Sequence, residues 1–367
     1  MALVKTSYSA KDVTVLLKDI SGQVEVLGTE EREKRIQSGT HYSEMIPLEY
    51  KPTDDYMTIY DSALASLSYQ TAQAVATISE KVFLDKGKDL VLVSLARAGT
   101  PVGILMKRYI KMKYGVDIPH YSISIIRGKG FDVNAMAYIV NKHGAKGIQF
   151  VDGWIGKGAI CRVLIEACNS LKQMDTKYSQ LSDTLAVISD PAWLTELCGT
   201  HEDFLIPSAC LNSTVSGLFS RTYHKEGIIG PNDFHGAVYY GNLTNEDKSI
   251  EFIDTVSHYF EDILKLNLSE LLIDTSIESM KGKTGLDEVN EIAKHFGIND
   301  INKIKPGVGE TTRVLLRRVP WKVLVRDRAT TNAHILRLCE EKNIEVVEYP
   351  LKMYRVCGLI KNLSADL

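Results

Sequence analysis

The chain has 367 residues, 44% of them hydrophobic and 24% charged, with a net charge of −3. This composition excludes a disordered or collagen-like chain, and the length predicts two or three domains with core enough to fold without disulfide staples. No eighteen apolar residues run together, so no membrane span is expected. The six cysteines (Cys161, Cys168, Cys198, Cys210, Cys339 and Cys357) form neither a Cys-x-x-Cys pair nor a zinc-finger spacing with histidine. Reduced thiols in a cytoplasmic protein are the expectation. Charge is unevenly spread: residues 301–367 hold 13 Lys/Arg against 7 Asp/Glu, leaving 30 against 39 elsewhere. The basic tail is the candidate for nucleic acid, with a merely solvated basic face as the alternative.

In chain order, residues 1–60 are polar and broken by Gly39, Pro47 and Pro52, and read as an N-terminal extension packed on a main domain of residues 61–300. A helix is predicted from Asp61 to Phe83, then a strand Leu90–Leu95, a turn Ala96–Pro101 and a helix through Tyr109. A strand Tyr121–Ile126, a loop Arg127–Gly130 and a helix Asp132–His143 follow. The next strand starts at Ile148 and ends in Asp152. After it the turn Gly153-Trp154-Ile155-Gly156-Lys157-Gly158 opens a helix whose Ile160, Val163, Leu164, Ala167 and Leu171 recur at helical spacing. Strands at Leu185–Ser189 and Ile206–Cys210 complete the main domain. Residues 301–367 form a smaller module with a strand Trp321–Arg326, a helix Thr331–Lys342 and a strand Ile344–Pro350. Such alternation implies an α/β fold, a mostly parallel sheet flanked by helices, with a second, smaller α/β domain.

In a parallel sheet the loops after successive strands share one rim, which gathers Arg97, Arg127, Lys129, Asp152, Lys157 and the Asn212–Gly217 loop. A glycine turn opening a helix offers free N–H groups to an anion. The spacing from Gly153 to Lys157 is too short for an ATP-binding loop. Gly282-Lys283-Thr284 lacks the required glycine upstream, so triphosphatase chemistry is not expected.

Two of these loops resemble the type I phosphoribosyltransferase pattern: Leu95-Ala96-Arg97-Ala98-Gly99-Thr100-Pro101 is similar to its pyrophosphate loop, and Val151 to Gly158 to its phosphoribosyl-diphosphate (PRPP) loop. More narrowly, His41–Met45, Ile125–Gly128, Phe150–Trp154 and Gly309–Arg313 resemble phosphoribosyltransferase-like proteins of bacterial tellurite-resistance-associated gene clusters. In that family the C-terminal segment is similar to the Pelota RNA-binding domain. The resemblance implies an enzyme that binds PRPP with Mg²⁺ and transfers phosphoribosyl to a base, a nucleoside-like compound or an RNA-linked acceptor. It assigns the 5′-phosphate and ribose to Asp152, Gly153, Trp154, Ile155, Gly156, Lys157 and Gly158, with Asp152 also facing the metal. Pyrophosphate falls to Arg97, Ala98 and Gly99, catalysis to Arg127, Lys129 and Asp152, and a second substrate to Ser213, Thr214 and Arg221. Structured RNA would meet Arg313, Arg317, Arg318, Arg326 and Arg355. Gly153 stands where many members carry a second acid, which leaves open a catalytically reduced domain that senses PRPP or a nucleotide and regulates RNA. A cysteine peptidase is the minor alternative: Cys210 can be drawn with His201, His224 or His235, against the simpler reading of a buried thiol.

Overall fold

The computed structural model describes residues 1–49, 51–267, 271, 283–317, 320–329 and 333–360. Its centre is a six-stranded sheet of β1 (Thr14–Val15), β2 (Val91–Leu95), β3 (His120–Ile123), β4 (Ile148–Trp154), β5 (Leu185–Ser189) and β6 (Cys198–Thr200), in the order β1-β3-β2-β4-β5-β6. Every pairing is parallel. Strands buried on both faces read as continuous apolar runs, as all five residues of β2 do. Leu92, Val151, Ala186 and Ile188 face one hydrophobic cluster, whereas Val91, Val93, Phe150 and Val187 face the other. Helices α1 (Asp54–Lys86) and α2 (Gly99–Tyr114) cover the first face, and α3 (Val133–His143) and α4 (Ala159–Met174) the second.

Two glycines set how closely these layers approach. A Cβ on Gly99 would run into the Val151 carbonyl of β4, and one on Gly199 into the Ala74 carbonyl of α1. The glycine of the Ala-Arg-x-Gly turn thus serves packing of α2 on the sheet.

The α/β class is as expected, and several elements differ in detail. Helix α1 begins seven residues before Asp61, because Thr53 caps it and Asp54 and Asp55 favour its first turn. The expected strand Tyr121–Ile126 ends at Ile123; Ile125–Ile126 pairs instead with Gly130–Phe131 in a hairpin that carries Arg127 and Lys129 at its tip. Ile206–Cys210 is not a strand but a short 3₁₀ turn, Pro207–Ala209, consistent with a proline that has no N–H for a ladder. The N-terminal segment supplies edge strand β1, and β6 closes the opposite edge.

The C-terminal sheet contains β7 (Ile304–Pro306), β8 (Pro320–Val325), β9 (Glu345–Glu348) and β10 (Val356–Ile360), ordered β7-β10-β8-β9. Strand β10 is antiparallel to both neighbours, and β8 and β9 are parallel. Helices α5 (Gly285–His295), α6 (Val308–Arg317) and α7 (Ala333–Glu341) accompany it. A capping box between Thr284 and Asp287 starts α5, whose Glu288 accepts the backbone N–H groups of Lys352, Met353 and Tyr354. Among the described residues no helix is long and apolar enough to cross a membrane.

Candidate active site

Strands β5 and β6 end on the rim where ligands meet open parallel sheets. Directly after β5, the Asp190 carboxylate accepts N–H groups from Ala192, Leu194 and Thr195, which folds residues 190–195 into a tight loop back to β6. Burial raises its pKa above the ordinary carboxylate range, and those N–H groups and His201 oppose the rise. At the start of β6, Cys198 Sγ lies 3.4 Å from His201 Nε2 and 3.8 Å from Nδ1. His201 Nδ1 is 2.7 Å from the backbone oxygen of Asp190, which can only accept, so Nδ1 carries the proton and Nε2 is the unprotonated nitrogen, while Sγ, nearly equidistant from the two, lies off the Nε2 lone-pair axis. The Asp190 carboxylate oxygen is 4.0 Å from Nδ1 and acts on the ring electrostatically. Trp193, held at φ 55°, stacks on the imidazole with centroids 3.7 Å apart and planes 8° from parallel. Cys198 is buried beneath this arrangement, and His201 is partly exposed.

The cysteine that sequence reasoning singled out, Cys210, is buried, and His201 stands with Cys198 instead. His224 and His235 pack against each other, 4.6 Å between ring centroids, near Lys129 and Ser124. The readable signal was Cys198-x-x-His201 shortly after a strand-terminal aspartate. A three-residue strand with a central glycine hid it. Cys161, partly exposed in the first turn of α4, has its thiol pushed up to about 12 by burial and by Asp190 and Asp152, the opposite of activation.

The glycine turn at residues 153–158 meets the C-terminal module. Lys157 Nζ donates to the carbonyls of Ile301 at 2.5 Å and Ile304 at 3.1 Å, and burial, with Lys305 nearby, pulls its ammonium down to about 8. The Tyr354 hydroxyl donates to the Gly156 carbonyl at 2.6 Å. Trp154 lies under the Arg313 guanidinium, 4.7 Å away, while Arg313 Nε donates to Ala209 O. The Lys157 ammonium, expected to hold a phosphate, is therefore spent on docking the second module. Asp152 bonds the Gly153 N–H beside it, and burial pushes its carboxyl up to about 7. Gly153 packs against Ala98, and Ile155 is buried. Gly158, at φ 78°, is the N-cap of α4.

Elsewhere the structure gathers Arg97, Arg127 and Arg221 around Tyr42 and Glu49. Lys129 pairs with Glu44. Ser213 and Thr214 are buried in a 3₁₀ turn and present no surface to a second substrate. Of the RNA candidates, Arg313 faces inward, Arg355 pairs with Glu202, and Arg326 is exposed while donating to the Lys352 and Tyr354 carbonyls. Arg317 ends α6, and Arg318 lies outside the described residues.

The family model described as "Tellurite-like stress resistance cysteine protease StiP" matches residues 6–257, and that of the PELOTA RNA binding domain matches residues 283–362. The cysteine protease StiP of Acinetobacter baylyi is 35% identical over 371 residues, spanning 98% of this chain and 94% of that protein. These matches overturn the phosphoribosyltransferase assignment, and with it PRPP or a nucleotide as ligand, phosphoribosyl transfer as reaction and the PRPP-sensing alternative. The expectation of Mg²⁺ derives from pyrophosphate chemistry and loses that argument. The engaged Lys157 ammonium and the Gly153 and Ile155 N–H groups, bonded to Asp152 and to the Ser189 carbonyl, supply a physical reason, since an anion cradle needs such donors free. The tellurite-resistance and Pelota parts of the resemblance stand. The chain belongs to the family of the tellurite-like stress resistance cysteine protease StiP.

Proposed function

We propose that the chain is a cysteine peptidase acting on protein substrates, with Cys198 as nucleophile and His201 as its base. One observation carries the reading: the thiol sits 3.4 Å from His201 Nε2 while Nδ1 is committed to Asp190 O. With the imidazole turned so that Nε2 faces Sγ, the thiol proton passes to Nε2, the thiolate attacks the scissile carbonyl carbon, and the imidazolium returns the proton to the departing amine. Water then hydrolyses the thioester, releasing a carboxylate and restoring the thiol. A thiol nucleophile among five further cysteines that form no disulfide suits a reducing, cytoplasmic setting.

Full-length protein incubated with denatured casein is expected to release new amino termini. Iodoacetamide is expected to stop the release, with the adduct mapping to Cys198. Cleavage that survives complete alkylation of Cys198 refutes the assignment.

The C-terminal module carries a second reading, the binding of structured RNA, supported by its match to the PELOTA RNA binding domain and by its basic balance. Arg326 and Arg328 are exposed, and so is Trp321, whose ring has Lys322 Nζ 5.3 Å from its centroid. A cationic surface with an aromatic face fits phosphates and an unpaired base. Affinity for a fluorescent stem-loop RNA should fall as KCl rises, and Arg326→Ala with Arg328→Ala should reduce the logarithmic salt slope by about 2. Anisotropy titrations check this, and an affinity indifferent to salt ends the RNA reading.

A further inference from the structure

Four arginines from four distant segments converge on one partly buried spot beside the rim: Arg32 from the helix Thr29–Gln37, Arg97 after β2, Arg127 from the hairpin tip and Arg221. Tyr42 stands between two of them, with the Arg221 guanidinium 5.0 Å and the Arg127 guanidinium 5.5 Å from its ring centroid. The Tyr42 hydroxyl accepts the Arg127 N–H. Arg32 Nε is buried with no hydrogen-bond partner among the described residues. Burial, then Arg97, Arg32 and Arg127, pull Arg221 down to about 10, which reflects how closely the positive charges crowd.

Against these four cations, Glu49 is the carboxylate paired with the group among the described residues. Its two oxygens are held separately, one 3.4 Å from Arg97 Nη1 and the other 2.8 Å from Asn212 Nδ2. Arg32, Arg97 and Arg221 are partly buried and Arg127 is exposed; partly buried like charges are stabilised by an anion among them, and guanidinium forks match oxyanions in two-point hydrogen bonds. Glu49 shows that the group accepts a carboxylate. One carboxylate against four guanidinium groups leaves the cluster with an excess of positive charge.

We infer that the Arg32, Arg97, Arg127 and Arg221 cluster is a subsite for an acidic side chain of the protein substrate. The inference rests on the peptidase reading for the nature of its ligand. It also yields a spacing. Arg97 follows β2 and Cys198 opens β6, three strand positions away through β4 and β5, which is about 14 Å, or roughly four residues of extended chain. The preferred Asp or Glu therefore lies about four residues from the cleaved bond.

The test is a binding measurement that needs no catalysis. Full-length protein carrying Cys198→Ala is titrated into a fluorescein-labelled ten-residue peptide with a central Asp-Glu pair, and separately into its Asn-Gln counterpart. The acidic peptide is expected to bind at least about tenfold tighter, and Arg221→Ala is expected to remove the difference. Arg221→Lys keeps a charge without the fork; it should recover only part of the preference, and it serves as the folded control. Equal affinity for the two peptides overturns the proposal. So does displacement of the acidic peptide by inorganic pyrophosphate at concentrations where free glutamate has no effect, because the site then selects phosphate. Absent proteolysis by the unaltered protein alongside intact peptide discrimination would sink the peptidase reading and leave the subsite standing. Equal peptide binding alongside intact proteolysis would do the reverse.

Discussion

Replacing Cys198 with alanine is expected to lower peptide-bond cleavage by at least about a thousandfold, and His201→Ala is expected to do nearly as much, because nucleophile and base act as one unit. The double variant should lose little more than either alone, since whatever cleavage remains no longer uses the pair. Asp190→Asn should behave differently. The His201 Nδ1 proton goes to the backbone oxygen of residue 190, 2.7 Å away, and the carboxylate is 4.0 Å from that nitrogen. An amide therefore keeps the ring's orientation and loses one acceptor for the 192–195 N–H groups. About tenfold or less in kcat is expected, with a lowered melting temperature as its companion. Cys210→Ala and Cys161→Ala should cleave at nearly the parental rate if they fold. Initial rates on one protein substrate, with circular dichroism for each variant, decide the matter. Full activity in Cys198→Ala would remove the pair from the chemistry.

The sequence declared what repeats locally and concealed what converges from afar. The apolar run Val91–Leu95 and the helical spacing after Gly158 are written in adjacent residues and appear in the fold as expected, whereas β4 runs two residues past Asp152, through Gly153 and Trp154. The chemistry of the glycine turn was misread because Gly99, Gly156 and Lys157 are residue types that bind anions and also residue types that pack and dock. Only the positions of Val151, Tyr354, Ile301 and Ile304 decide between the two uses. Cys198 and His201 are three residues apart, yet nothing local marks Cys198–Thr200 as a strand, since its β character comes from pairing with β5. The arginine cluster draws on residues 32, 97, 127 and 221, and no window of the sequence contains it.

Asp203→Ala is the substitution expected to cost the most stability, and it ties the two modules together. Asp203 lies two residues after His201, is almost fully buried, and accepts Val308 N–H on one oxygen and Arg355 N–H on the other, each at 2.8 Å. Val308 is the first residue of α6, so the carboxylate also meets the positive end of that helix. Alanine strands two buried donors, a loss of roughly 2–4 kcal/mol. Thermal unfolding should then split, with the C-terminal module melting before the parallel sheet. Cleavage should fall at temperatures where the parent is active, because the segment carrying His201 loses its anchor. The pH dependence adds a signature. Burial holds the Asp203 carboxyl at about 6 against an ordinary 3.8, with the Val308 and Arg355 N–H groups and the Arg355 charge opposing the rise. The folded state thus keeps a proton that the unfolded chain releases, so this group's contribution favours the fold below about pH 4. It is lost progressively as pH rises to about 6 and changes little beyond. Asp132 and Asp152, also pushed upward, tilt the whole curve in the same direction. The diagnostic quantity is therefore the difference between parent and Asp203→Ala. The penalty of the substitution should be larger at pH 4 than at pH 7, as measured by urea denaturation. A penalty independent of pH would mean that Asp203 is ionised throughout, held by α6 and Arg355 more strongly than burial opposes it.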